Sequence, residues 1–240
     1  MRRKAAILLF LIFTTGLLAE KLSLLSDVKK GFGLGRKENL KVLLAASVAV
    51  AGAFLIDEQV RDFLKRNQSD SLASLAELGN FFGDGEEMLP ALAGIAGLAL
   101  ASKDKKLFVT SVEAAEAFAV SGIITTGIKL ITMRKRPYKE EGKFSFDWGN
   151  KSFPSGHTTV SFAVFTVFAR RYEIPQIYVI PALTAFARIY KDVHWLSDVV
   201  AGAAVGYVVG RSIVNLHKRT GLKLAGFSIN ERGFTIIFSF

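Results

Sequence analysis

Two histidines (His157, His194), one carboxylate (Asp198) and three cations (Lys129, Arg136, Arg188) fall in three short clusters, at Lys129–Pro137, Pro154–His157 and Arg188–Asp198. His194 and Asp198 are four residues apart, a spacing that shares one helix face. A carboxylate accepting the imidazole Nδ1–H fixes the tautomer, leaves Nε2 free to attack and stabilises the cation that forms. Planar guanidinium forks suit phosphoryl oxygens. Pro154-Ser155-Gly156-His157 ends a polar loop and opens an apolar helical run. The first N–H groups there lack internal partners and can face an anion. Acting together, these residue types would bind and transfer a phosphoryl group.

Each piece also has a plainer reading. Lys129 and Arg134–Arg136 alone would be a solvated basic loop or a membrane flank. His194 alone would be a cap or a surface residue, Arg188 with Asp198 a structural ion pair, and the Pro-Ser-Gly-His stretch an ordinary turn. Their order at consecutive helix ends favours a site. His217, among the basic residues Asn215–Arg219, reads as a surface residue without a partner. Trp195 reads as a pocket wall or interface anchor and Trp148 as a lid residue, with packing or interface the plainer reading of both. With no cysteine and three histidines, a structural zinc site of Cys and His ligands is set aside. No Asp-x-Asp cluster suggests Mg²⁺ or Ca²⁺.

The elements that must position these groups are six apolar runs: Val42–Ile56, Met88–Ala101, Leu107–Ile131, Ser155–Ala169, Ile174–Tyr190 and Leu196–Ile213. Between the first two lies Asp57–Glu87, polar, with a turn at Gly83-Asp84-Gly85. The third helix ends, the fourth starts, the fifth ends and the sixth starts at the clusters, so antiparallel neighbours bring four termini to one end. Gly202, Gly206 and Gly210 continue the four-residue ridge begun at His194 and Asp198, which lets a neighbouring helix approach closely. Phe227, Ile229, Phe234, Ile236, Phe238 and Phe240 alternate around Asn230–Gly233, the period-two pattern of a short hairpin.

The 240 residues are half hydrophobic and carry a formal charge of +10, which fits one helical domain. The apolar content argues against a nucleic-acid partner, and the basic residues are dispersed, mostly at the ends of apolar segments, where membrane-flanking charges sit. Residues 1–19 read as an export signal or anchor, 20–41 as a linker or interfacial segment, 42–216 as the helical domain and 217–240 as a tail. Several runs are close to the minimal span, and Glu113 and Glu116 point one helix face toward protein or water. A small membrane bundle and a compact periplasmic protein both fit. Loop charges put Lys103–Lys106 and Arg170-Arg171 inside and the loop before Pro154 outside. A cleaved signal or a spanning first segment would invert that order if all six helices span.

Lys129-x6-Arg136-Pro137, Pro154-Ser155-Gly156-His157 and Arg188-x5-His194-x3-Asp198 together resemble the three signatures of the type 2 phosphatidic acid phosphatase superfamily. The resemblance covers about residues 107–210, with Ala187 standing where the pattern has Ser. It implies an all-α fold with a six-helix core bundle of the acid phosphatase/vanadium-dependent haloperoxidase type, here with a short C-terminal β-hairpin-like tail. It further implies a phosphatase, independent of metal or other cofactor, that hydrolyses a phosphate monoester or diphosphate through a phosphohistidine. His194 would be the nucleophile, Asp198 its orienter and His157 the acid for the leaving group. Lys129, Arg136, Ser155, Gly156 and Arg188 would hold the phosphoryl oxygens.

The expected substrate is a phosphorylated membrane lipid or polyprenyl diphosphate, and the expected place a bacterial-type cell envelope: the inner membrane with the site facing the periplasm, or the soluble periplasm. Alternatives are a secreted acid phosphatase of broad specificity, a vanadate-dependent haloperoxidase and a non-catalytic membrane protein. The oligomeric state stays open.

Overall fold

The computed structural model describes residues 37–146, 149, 151–220, 223–230 and 233–239, with residues 37, 38, 219, 220 and the last two stretches described by backbone alone. The expected export segment 1–19, residues 20–36 of the expected linker and Trp148 lie outside the described residues. The helices are α1 (Lys37–Leu55), α2 (Asp57–Arg66), α3 (Asp70–Phe81), α4 (Gly85–Ala101), α5 (Lys105–Thr132), α6 (Gly156–Tyr172), α7 (Val179–Tyr190) and α8 (Leu196–Thr220). All six apolar runs form helices. The backbone of the tail pairs β1 (Lys223–Asn230) antiparallel with β2 (Gly233–Ser239), with Phe227 opposite Ile236 and Ile229 opposite Phe234.

Local chemistry accounts for the helix ends. Ser69, Asp84 and Asp104 cap α3, α4 and α5 by accepting the N–H groups of Leu72, Glu86 and Leu107, the first-turn donors that have no helical partner. Met133 and Glu173 adopt left-handed backbone after α5 and α6 and end them. The polar stretch Asp57–Glu87 departs from the sequence reading, because it holds two helices, α2 and α3, as well as the turn. Only part of its apolar residues turn inward, since Phe63, Leu75, Leu78 and Phe81 stay exposed. Leu64 and Leu72 join Ala76 against Ala187 and Tyr190 of α7, and Asp57 at the start of α2 is buried as well. Ala187 is fully buried there.

Small residues bring α8 onto α6. A Cβ on Gly202 would come within 2.7 Å of the Ser155 carbonyl oxygen, and on Gly206 or Gly210 it would run into the carbonyls of Thr159 or Ala163. A core of Met88, Leu92, Ala117, Val164, Val209 and Ile213 fills the space between α4, α5, α6 and α8. Interiors packed this closely resist added volume. Gly206→Leu is expected to lower stability by about 1–3 kcal/mol, read in a thermal melt.

Away from the three clusters, the same helices hold a buried charge group. Arg171 forks onto both oxygens of the fully buried Glu113. His217 was expected at the surface without a partner, and the structure corrects this. It is 6% exposed, its Nε2 lies 2.8 Å from Glu116 and its Nδ1 3.5 Å from Glu113. The reason is that α8 continues beyond the apolar run ending at Ile213, so residue 217 stays on the inward face one turn later. Arg171→Ala, which leaves Glu113 buried without its fork, is expected to cost about 3–5 kcal/mol in the same melt.

Lys106 Nζ sits 4.3 Å from the Tyr172 ring centroid, which ties the start of α5 to the end of α6. Both basic turns, Lys103–Lys106 and Arg170-Arg171, therefore lie at the end opposite the three clusters. Among the described residues, two segments, Lys105–Thr132 and Leu196–Lys218, are long and apolar enough to cross a membrane. A third would be the pair Asn39–Leu55 and Asp57–Arg66, which is bent by 57°.

Candidate active site

Four helix termini, the C-ends of α5 and α7 and the N-ends of α6 and α8, meet at one end of the bundle, as counting the helices predicts. His194 lies in the turn between α7 and α8, with its backbone N–H on the Arg188 carbonyl at 3.2 Å. It precedes α8 by two residues, so the histidine sits ahead of the helix and only Asp198 sits in its first turn. Asp198 Oδ2 accepts the Trp195 N–H at 2.9 Å and lies 3.4 Å from His194 Nδ1. One carboxylate thus closes the helix start, as in a capping box, and faces the imidazole. Both side chains are buried, at 3% and 0% exposure.

The opposite oxygen of Asp198 is held by Arg134, from the basic run Arg134–Arg136. Arg134 Nη1 donates to Asp198 Oδ1 at 2.7 Å and to Ser197 Oγ at 2.7 Å, and Nη2 donates to Asp57 Oδ2 at 2.7 Å. Asp57 also accepts the Ser197 N–H at 2.8 Å and its hydroxyl at 2.6 Å. The Arg134 guanidinium lies 4.5 Å from the Phe54 ring centroid and 5.3 Å from that of Trp195. Trp195 is accordingly a buried wall behind the site, 2% exposed, with its indole N–H on the Lys135 carbonyl. Nothing in the spacing marks Arg134 or Asp57, since they lie 77 residues apart.

The other cations surround the two imidazoles. Lys129 Nζ is braced by the carbonyls of Lys151 and Ser152 at 2.9 and 3.0 Å, and a Cβ on Gly156 would lie 4.0 Å from Lys129 Cε. Arg188 does not pair with Asp198. Its Nη1 donates to Asn80 Oδ1, and its buried Nε has no hydrogen-bond partner among the described residues. Arg136 is half-buried at the end of this cluster. Burial, followed by the neighbouring Arg136 charge, pulls Arg188 down to about 10.

Ser155 is buried at the N-cap position of α6, where its side chain makes no capping hydrogen bond. Its N–H donates to the Asp198 carbonyl at 2.9 Å and its Oγ accepts from Thr158 at 2.9 Å. The Ser155 N–H is therefore occupied, which narrows the expected pair of anion donors. The N–H groups of Gly156 and His157, at the first two helical positions, have no acceptor within the helix.

His157 Nε2 lies 3.9 Å from Asp84 Oδ2, which brings the cap of α4 beside the site. Burial first, then the charge of Arg188 with smaller contributions from Arg136 and Lys129, push His157 down to about 4 against the opposing pull of Asp84. Burial likewise takes His194 down to about 3, opposed by Asp198 and reinforced by Lys129 and Arg188. Both imidazoles are then neutral near pH 7, and cations flank them. Such an arrangement offers a lone pair to an electrophile and positive charge to an anion.

A model of the PAP2 superfamily matches residues 111–221. The chain is 35% identical over 78 residues to the lipid A 4'-phosphatase of Porphyromonas gingivalis, a match covering 31% of this chain and 33% of that one. The match therefore spans about a third of that relative's length. The lipid A 1-phosphatase of Rhizobium johnstonii is 34% identical over 185 residues, 67% of this chain and 75% of that protein. Among solved structures, the transmembrane phosphatidylglycerolphosphate phosphatase of Bacillus subtilis shares the fold, with a TM-score of 0.61 and 18% identity over 77% of this chain and 98% of that one. The matched residues carry all three clusters, and the agreement with the Rhizobium protein runs through most of both chains: the chain belongs to the PAP2 superfamily.

Proposed function

We propose that this protein is a phosphatase that removes a phosphoryl group from a membrane lipid or polyprenyl diphosphate by way of a phosphohistidine at His194. The observation that carries this reading is the buried His194–Asp198 pair with Lys129 and Arg188 close to it, and Arg136 beside Arg188, at one end of the bundle. His194 Nε2 attacks phosphorus, the bond from phosphorus to the leaving oxygen breaks with its electron pair, and His157 protonates that oxygen. Water then attacks the phosphohistidine and gives a proton to His157. The N–P bond breaks, and phosphate leaves with His194 regenerated. The three cations and the Gly156 N–H hold the phosphoryl oxygens while charge builds on them.

Membrane location is supported by the two long apolar helices and by outward apolar side chains such as Leu44, Val48, Ile123 and Ile131, each more than half exposed. We place the site on the periplasmic side, opposite the two basic turns. A lipid substrate is supported by a groove of about 380 Å³ between α1 and α8, lined by Leu43, Val50, Phe54, Phe153, Ala201 and Val205 among others. Two of its lining residues adjoin the clusters: Phe153 directly precedes Pro154, and Ala201 follows Asp198 by one turn. The groove is of a size that holds small apolar ligands. The relatives named as lipid A phosphatases are of the same substrate class.

The two imidazoles set a pH dependence. His194 loses its nucleophilic lone pair only as pH falls through about 3. His157, at about 4, is neutral before substrate arrives. A phosphate monoester whose second pKa is about 6 brings the missing proton as its monoanion. The expected kcat/KM is therefore flat in mildly acid solution, falls above about pH 6 as the monoanion disappears, and falls on the acid side only near pH 3.

The reading is tested on purified protein treated with a chelator, using phosphatidate, phosphatidylglycerol phosphate, polyprenyl diphosphate, lipid A and a soluble aryl phosphate. At least one lipid should release phosphate with a kcat/KM well above that of the soluble ester. Release from the soluble ester alone would overturn the lipid assignment, and silence across the whole panel would overturn the phosphatase.

A further inference from the structure

We infer that Asp57 is a positioning residue for the reaction: through Arg134 it gives the charge group behind His194 a net negative charge that favours the phosphohistidine. The inference rests on the phosphatase reading above. Asp198 alone would offer one negative charge to the imidazole, but Arg134 lies against it at 2.7 Å. Those two charges cancel. Asp57, 2.7 Å from the other nitrogen of the same guanidinium, restores the balance to one negative charge over three groups.

The site is built to hold an anion at residue 57. Asp57 is the first residue of α2 and accepts the N–H of Ser197 in the first turn of α8, so two helix N-termini converge on it. Helix N-termini favour negative charge. All three side chains are at most 3% exposed, so little water screens their effect on His194. Phe54 and Trp195 flank the guanidinium and fix its plane.

When His194 Nε2 bonds to phosphorus, the ring becomes a phosphorylated imidazolium and gains a positive charge that the free enzyme lacks. A charge that acts on this change alters the transition state more than the binding of substrate. Asp57→Asn keeps the shape and an acceptor for the Ser197 N–H but removes the charge. Its kcat on a soluble aryl phosphate should fall roughly 10- to 100-fold, the effect of one nearby charge on a protonation-like equilibrium. KM and inhibition by inorganic phosphate should stay within about twofold. Orthovanadate, which binds at the nucleophile as a five-coordinate mimic, should weaken in step with kcat.

The decisive comparison is the double variant Asp57→Asn with Arg134→Gln, which removes both charges and restores the net negative charge through Asp198. It should exceed the Asp57→Asn single variant in kcat by roughly twofold or more, the lower end of coupling between contacting residues. A role in packing alone predicts that the double variant is worse than the single. That result, or an unchanged kcat in Asp57→Asn, would overturn the inference. If the single variant does not fold, the double variant, which leaves no unpaired charge buried, is compared with the wild type. A kcat within about tenfold of wild type at similar KM supports the inference, and a larger fall overturns it. A wild-type protein without activity on any phosphate ester would instead remove the phosphatase reading itself.

Discussion

His194→Ala is expected to reduce kcat by about 10⁴-fold or more, because it deletes the atom that bonds to phosphorus. The remaining cations would still bind the phosphoryl group, so KM or the affinity for inorganic phosphate should change far less than kcat. The substitution should also leave the fold in place. The start of α8 is closed by the Trp195 N–H on Asp198 and by the Ser197 contacts to Asp57, and none of these uses the imidazole. A melting curve close to wild type beside the lost turnover would separate chemistry from folding. Turnover within tenfold of wild type would remove His194 from the mechanism.

His157→Ala should lose about 10²–10⁴-fold, and the size of the loss should depend on the leaving group. An alkoxide departing from a lipid phosphate is a strong base and needs its proton. A nitrophenolate or a lipid phosphate leaving from a diphosphate does not need it as much. The expected result is a steep dependence of the variant's rate on leaving-group basicity across a series of aryl and alkyl phosphates, where the wild type is shallow. The position supports this division of labour. His157 stands in the first turn of α6 beside Asp84 on the α4 cap, apart from the His194–Asp198 pair. An equal loss on every substrate would mean that His157 binds phosphate and donates no proton.

The sequence carried the helices and the charged clusters because each rests on local pattern: apolar runs, a Ser-Gly start to α6, and a carboxylate four residues from a histidine. Helix counting then sufficed to bring the clusters to one end. What the sequence concealed depends on contacts between distant elements. Asp57 and Arg134 meet across 77 residues, and each has an ordinary appearance in its own neighbourhood, one in a polar stretch and one in a basic run. His217 looks like part of a basic tail until α8 is carried another turn and its side chain falls beside Glu113 and Glu116. Helices α2 and α3 were missed for a related reason. Their apolar residues are interleaved with charged and polar ones and several stay exposed, and the face of Leu64, Leu72 and Ala76 has meaning only once α7 lies against it.

These contacts bear on function as well as on stability. Asn80 and Asp84, from the polar stretch Asp57–Glu87, touch Arg188 and approach His157 respectively. The segment therefore forms part of the wall of the site and links the packing of α3 on α7 to the placement of the cations.

The phosphoryl group is expected to pass through His194 before water takes it. Hydrolysis of a phosphorothioate ester made chiral at phosphorus with oxygen isotopes tests this most directly. Two in-line displacements, one by His194 and one by water, predict inorganic thiophosphate with retained configuration. Inversion would mean a single attack by water and would contradict the phosphohistidine.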